Sequence, residues 1–340
     1  MHTRSLVACL ALALLGVGAY AYARFTTNDS LDSVRNRTLG EKLFNDVRLS
    51  GDGKTSCATC HVPARSFSDG RRVAIGVDGR PGSRNTPSLT SMVASGRQTF
   101  FWDGRRDFLD DAVMDPFSNP VEMGLHDRKD IASKVRMMED YSSLLQGGGD
   151  AGGVAVDHQI ATALAAYLRS LAPEATRFER FVRGDANAID SREKLGMSLF
   201  KGKGQCSSCH QLERARLTDN AFHRSGVSMD DIALHLPELT QGVLDRDLAG
   251  SALGDRVATH PDEAQLGHFS VSHKATDIET FATPSLREVR LTAPYMHDGS
   301  VDTLEAAVDR EVYYRGLDTG YPIGLTAQER ADLRAFLETL

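Results

Sequence analysis

The chain has 340 residues, 41% of them hydrophobic and 25% charged, with a formal net charge of −7. These values fit about two folded domains at roughly 150 residues each, and they exclude collagen-like, low-complexity and multi-span membrane classes. They also argue against nucleic acid as a partner, since polyanion binding needs net or clustered positive charge and the basic residues here are scattered.

Residues 1–23 read as a secretory signal. Arg4 supplies the positive start, Leu6 to Val17 the apolar stretch, and Ala21-Tyr22-Ala23 the small-x-small cleavage site. The apolar stretch is shorter than the ~20 residues of a membrane span, so the expectation is a cleaved, exported, periplasmic chain rather than one held by an uncleaved anchor. Cys9 belongs to this leader, which leaves Cys57, Cys60, Cys206 and Cys209.

The rest of the chain repeats itself. Leu39-Gly40-Glu41-Lys42-Leu43-Phe44 precedes the first cysteine pair, and Leu195-Gly196-Met197-Ser198-Leu199-Phe200 precedes the second. Both read as the end of an amphipathic helix, with leucines at i,i+4. Leu164 to Leu171 matches Leu333 to Leu340, and each has the apolar stripe of a helix with one buried face. Asp157 is the expected N-cap of the first closing helix, and Thr326 with Glu329 the capping box of the second. Strand-like alternation is scarce, and Gly and Pro punctuate the intervals. The predicted fold is therefore mainly α: two helical domains with long loops, related by internal duplication. They span residues 24–172 and 173–340, with Pro173 at the boundary.

Cys57-Ala58-Thr59-Cys60-His61 and Cys206-Ser207-Ser208-Cys209-His210 both have the C-x-x-C-H spacing of c-type heme attachment. Two thiols three residues apart on one turn reach the two vinyl groups of one porphyrin. The adjacent histidine then ligates the iron. A zinc knuckle would need four ligands in one domain, and a redox dithiol would not need the histidine twice. Two covalently bound heme c groups are expected, which leaves no thiol for a disulfide.

The sequence resembles the bacterial diheme cytochrome c peroxidase superfamily, which includes the methylamine-utilisation diheme enzymes. The resemblance runs from about Leu39 to Leu340. It includes Arg84-Asn85-Thr86-Pro87, Phe101-Trp102-Asp103-Gly104-Arg105, Pro120-Val121-Glu122-Met123, Phe222-His223, Thr283-Pro284-Ser285-Leu286-Arg287, and Leu291 through Gly299. It implies a peroxide-reactive heme on His61, an electron-transfer heme on His210, and Trp102 as a relay between them. Glu122 would be the acid/base that moves peroxide protons. Asn85 and the carbonyls of Thr292 and Pro294 would hold a calcium ion. The resemblance also implies hydrogen peroxide as substrate and a small cytochrome c or cupredoxin as donor; family members often form homodimers.

Three positions depart from the family pattern. Val77 stands where many members carry a blocking distal histidine, which predicts a first heme without a second protein ligand. Ala112 stands where a distal glutamine is common. The second axial ligand of the C-terminal heme is expected at Tyr313 if two residues are inserted, with Glu311, Met296 and Met229 as the other candidates. The leading expectation is a peroxidase. The alternatives are a methylamine-utilisation-type enzyme that uses peroxide to oxidise a protein substrate, and a non-catalytic diheme electron carrier.

Overall fold

A computed structural model describes residues 33–340 except Arg97, 146–154 and 172–173. The leader and the expected boundary at Pro173 lie outside the described residues. Among the described residues no helix is long and apolar enough to cross a membrane. The architecture is mainly helical, as expected. The described strands are two three-residue pieces, Phe222–Arg224 and Thr280–Ala282, paired antiparallel with Phe222 opposite Ala282.

Each half of the chain is built on a helix pair. In the first half, the helix over 33–45 packs against Val156–Arg169 through Leu39, Leu43 and Phe44, all nearly inaccessible. In the second half, Ser191–Lys201 packs against Ala327–Leu337. Both crossings turn on a glycine. A Cβ on Gly40 would lie 2.0 Å from the Ala163 carbonyl oxygen and 2.7 Å from Tyr167 Cβ. A Cβ on Gly196 would lie 2.0 Å from the Asp332 carbonyl oxygen and 2.7 Å from Phe336 Cβ. Only glycine lets two helix backbones meet this closely. Residues 39–168 and 178–340 form separate apolar clusters around these crossings.

Two local expectations need correction. The second opening helix does not bury Leu195, which is 59% exposed; the buried face carries Gly196 and Phe200 instead, because the glycine sets which side meets the closing helix. The closing helix of the first half starts at Val156 with Ala155 as N-cap, so Asp157 sits in the first turn, where its charge faces the helix N-terminus. The capping box at Thr326 and Glu329 is formed: the Glu329 N–H donates to Thr326 Oγ1 at 3.2 Å and the Thr326 N–H to Glu329 Oε2 at 2.7 Å.

The halves are stitched together by buried polar contacts. Ser91 Oγ donates to the Arg287 carbonyl at 2.6 Å, the Asn85 N–H to the His297 carbonyl at 2.8 Å, and the Ala282 N–H to the Trp102 carbonyl at 2.9 Å. The helix Gly250–Thr259, from the second half, lies over the first half. Ser83 Oγ donates to the Val257 carbonyl at 2.6 Å, and a Cβ on Gly254 would sit 3.0 Å from Arg105 Nε.

Candidate functional site

Two apolar cavities, of about 230 and 270 Å³, occupy the space that the long loops enclose. Cys57, Cys60 and His61 line the first; Cys206, Cys209 and His210 line the second. Each C-x-x-C-H segment is one tight turn, closed by the His61 N–H donating to the Cys57 carbonyl at 2.9 Å and the His210 N–H to the Cys206 carbonyl at 3.0 Å.

The histidines are held alike. His61 Nδ1–H donates to the Phe67 carbonyl at 2.8 Å, and His210 Nδ1–H to the Leu217 carbonyl at 3.1 Å. Phe67 and Leu217 both have left-handed backbones, with φ 57° and 58°, which turns their carbonyls back onto the rings. This bond leaves Nε2 as the lone-pair nitrogen, which suits a metal ligand. Burial lowers the basicity of both rings, so they stay in the neutral form that binds iron. Burial also pushes the Cys57 and Cys206 thiols up to about 12 and Cys60 up to about 11, whereas the His223 ring beside Cys209 helps to lower that thiol. The donor set and apolar walls fit a heme with two thioether links and one histidine in each cavity.

Among the described residues lining the first cavity, His61 is the only histidine. Val77 is buried but does not line it; its N–H donates to the Glu122 carbonyl at 3.0 Å. Glu122 lines the same cavity. Burial pushes its carboxyl up to about 7, with Arg105 opposing and Asp115 and Asp255 adding to the rise. The Arg105 guanidinium stacks 3.5 Å from the centre of the Phe101 ring and bonds Asp103, which has no exposure at all. Ala112, also on this wall, offers no polar group to bound peroxide.

Trp102 lines both cavities, as do Asn85 and Phe101. Thr292 and Pro294 stand with Asn85 on the wall of the second cavity.

The candidate ligands of the second iron separate clearly. Glu311 and Met296 line the second cavity. Met229 packs into a separate apolar cluster with Ile232 and Phe269. The expectation for Tyr313 is not met: its side chain is 62% exposed and absent from the cavity wall. Two residues along an α-helix turn the side chain by about 200°, so Glu311 and Tyr313 cannot share a face.

Three features escaped the sequence reading. His223 lines the second cavity, its Nε2 2.7 Å from Asp219 Oδ2; with Cys209 it forms the one His/Cys/Asp/Glu trio found close enough to hold a metal among the described residues. Gly254, Val257 and Ala258 roof the first cavity from the other half of the chain. Asp255, beside them, acts on Glu122. Only the Phe222-His223 string gave any signal in advance.

Residues 35–187 match the model of the di-haem cytochrome c peroxidase family. The chain is 35% identical over 309 residues to cytochrome-c peroxidase IdrP2 of Denitromonas iodatirespirans, covering 89% of this chain and 80% of that one. The chain belongs to the diheme cytochrome c peroxidase family. It is also 33% identical over 310 residues to the methylamine utilization protein MauG of Methylorubrum extorquens, covering 89% and 77%. A crystal structure of a MauG-like protein associated with microbial copper homeostasis superposes with a TM-score of 0.70 at 30% identity, covering 90% of this chain and 89% of that one. Like its relatives, this diheme family member is a peroxidase-like oxidoreductase and a heme protein.

Proposed function

We propose that this chain is a periplasmic diheme peroxidase that reduces hydrogen peroxide at the heme of His61. Electrons come from a small cytochrome c or cupredoxin through the heme of His210 and Trp102. The observation that carries the reading is the wall of the first cavity, where a single histidine is accompanied by a carboxyl poised near neutrality.

Bound heme supplies the redox chemistry, in which peroxide takes up two electrons and two protons and leaves as two waters. The protein residues manage the protons and the position. Glu122 can accept a proton from one peroxide oxygen and return it to the departing oxygen, which requires a group that exists in both forms near the working pH. Its carbonyl accepts the Val77 N–H, which fixes the backbone beneath the carboxyl. Arg105, clamped by Asp103 and Phe101, places a positive charge beside it. Trp102 stands on both cavity walls, a placement that suits an electron relay.

We attach the hemes through Cys57 and Cys60, and through Cys206 and Cys209. We also read Asn85 with the carbonyls of Thr292 and Pro294 as oxygen donors for a calcium ion, since a hard cation accepts amide and carbonyl oxygens completed by water. The two halves, 24–172 and 173–340, are read as duplicated cytochrome c-like domains; the matched contacts of Gly40 and Gly196 support this.

A second reading has peroxide oxidising the side chains of a protein substrate, as the likeness to methylamine-utilisation enzymes suggests. Val77 favours it, because a first iron without a distal histidine needs no reductive opening. Turnover of peroxide with a reduced small cytochrome c decides. The peroxidase reading expects two donor electrons consumed per peroxide. No turnover, with a long-lived oxidised state after peroxide, would favour the second reading. Two hemes both saturated by protein ligands would instead indicate an electron carrier.

A further inference from the structure

The helix Leu304–Thr319 turns one continuous stripe toward the second cavity: Leu304, Ala307, Val308, Glu311, Val312 and Arg315. This is the i, i+3, i+4, i+7, i+8, i+11 spacing of a single helical face. Four of these side chains are aliphatic and have no donor atom for a metal. Arg315 carries only N–H donors, and its Nη2 lies 3.8 Å from Cys209 Sγ. Glu311 is the one residue of the stripe that can bind iron, and it stands in mid-stripe. Its carboxyl acts on the Cys206 thiol, helping to raise it, so it reaches the part of the cavity where the cysteine pair sits.

Of the other donors on this wall, His223 is engaged through Nε2 with Asp219 and His297 through Nε2 with Gln265, and Met296 is a loop residue with a left-handed backbone at φ 72°. Tyr313 lies on the far face of the helix, and Met229 lies in another cluster.

We propose that the Glu311 carboxylate is the second axial ligand of the heme whose first ligand is His210. The proposal rests on the two-heme reading above. A carboxylate has two oxygens, so Glu311 can ligate through one and still accept from Arg315, four residues on, through the other. As an anionic oxygen donor it favours ferric iron and a low potential, as a tyrosinate does, whereas a methionine sulfur raises the potential. The second heme of this chain would then be tuned low by a carboxylate, in place of a tyrosinate or a methionine sulfur.

The test uses the full chain, purified as the oxidised diheme protein, with E311Q, E311M and M296L beside it. Electron paramagnetic resonance and reductive titration read each heme, and a pyridine hemochrome assay counts them. E311Q is expected to alter the signal of the second heme while the first heme keeps its spectrum. E311M is expected to raise the potential of the second heme and to show a sulfur-to-iron charge-transfer band, and it carries the test if E311Q loads poorly. M296L is expected to match the wild type. A second-heme signal unchanged in both Glu311 variants, or changed only in M296L, would overturn the assignment. A wild-type protein with fewer than two attached hemes would instead overturn the cofactor reading, which is a distinguishable result.

Discussion

Trp102 donates its indole N–H to the Asn85 carbonyl across 2.9 Å, and both residues stand on the walls of both cavities. The bond fixes the plane of the ring between the two sites. Trp102→Phe removes the donor, at a stability cost of about 1 kcal/mol, and exchanges an oxidisable indole for an inert ring. Steady-state turnover with a reduced donor should fall by about tenfold or more, equivalent to at least about 1.4 kcal/mol of barrier. The first reaction of peroxide with the oxidised enzyme should persist, because it does not draw on the second heme. Stopped-flow spectroscopy separates the two phases; equal slowing of both would remove Trp102 from the relay.

Glu122 titrates at about 7, raised chiefly by burial. Below that pH it holds its proton and cannot accept one from peroxide, so the rate of reaction with peroxide should rise as pH passes upward through about 7. Glu122→Gln should lower the rate by about 10²–10⁴-fold and abolish that limb. Asp255 is a like charge that adds to the rise in Glu122. Asp255→Asn should therefore move the limb to lower pH without abolishing it. A pH–rate profile for the three proteins checks both expectations.

Gly40 and Gly196 predict matching losses of stability. An alanine methyl at either site would lie 2.0 Å from a carbonyl oxygen of the closing helix, so the helices must separate. Such overpacking costs roughly 1–3 kcal/mol, and each variant should melt at lower temperature. Gly324→Ala, where nothing lies within 4 Å of the added Cβ, should melt as the wild type does. Thermal melts of the three variants make the comparison.

Arg287 is 2% exposed and binds Glu179 Oε1 through Nε at 2.8 Å. Burial would raise the Glu179 carboxyl, but the bond from Arg287, the capping N–H of Thr176 and the Arg287 charge together bring it below its ordinary 4.5. A carboxyl lowered on folding stabilises the protein above its unfolded value and loses that contribution as pH falls through its folded value. Stability should thus decline below about pH 4.5, and Glu179→Gln should flatten that decline. Arg287→Leu strands a half-buried carboxylate and should cost roughly 1–3 kcal/mol at neutral pH. Denaturant titrations across pH read all of this.

The parts of the molecule that were legible in the sequence are those coded by short spacing. The C-x-x-C-H turns, the Thr326–Glu329 capping box and the repeated Leu-Gly and closing-helix strings each depend on residues within about two turns of one another. Less legible was whatever depends on which side of a helix faces inward. Leu195 and Leu199 looked like a buried pair, yet Gly196 sets the contact face. Tyr313 could be aligned by inserting two residues, yet the helix continues without them and Glu311 takes the inward position. Contacts between distant segments left no local pattern at all, as with Asp255 beside Glu122 or the Trp102 bond to Asn85.

The helix Gly250–Thr259 reaches across from the second half to close the cavity of the first. The cavity lined by His61 and Glu122 is consequently unfinished until just over three quarters of the polypeptide has been made. A truncated or half-assembled product would carry the first C-x-x-C-H turn without its roof, its Arg105 unsupported by the Gly254 contact and its Glu122 open to water. Water around that carboxyl would return it toward ordinary acidity and leave it a poor proton shuttle near neutrality. A carboxyl poised near neutrality is thus a property of the finished chain and not of its first half alone.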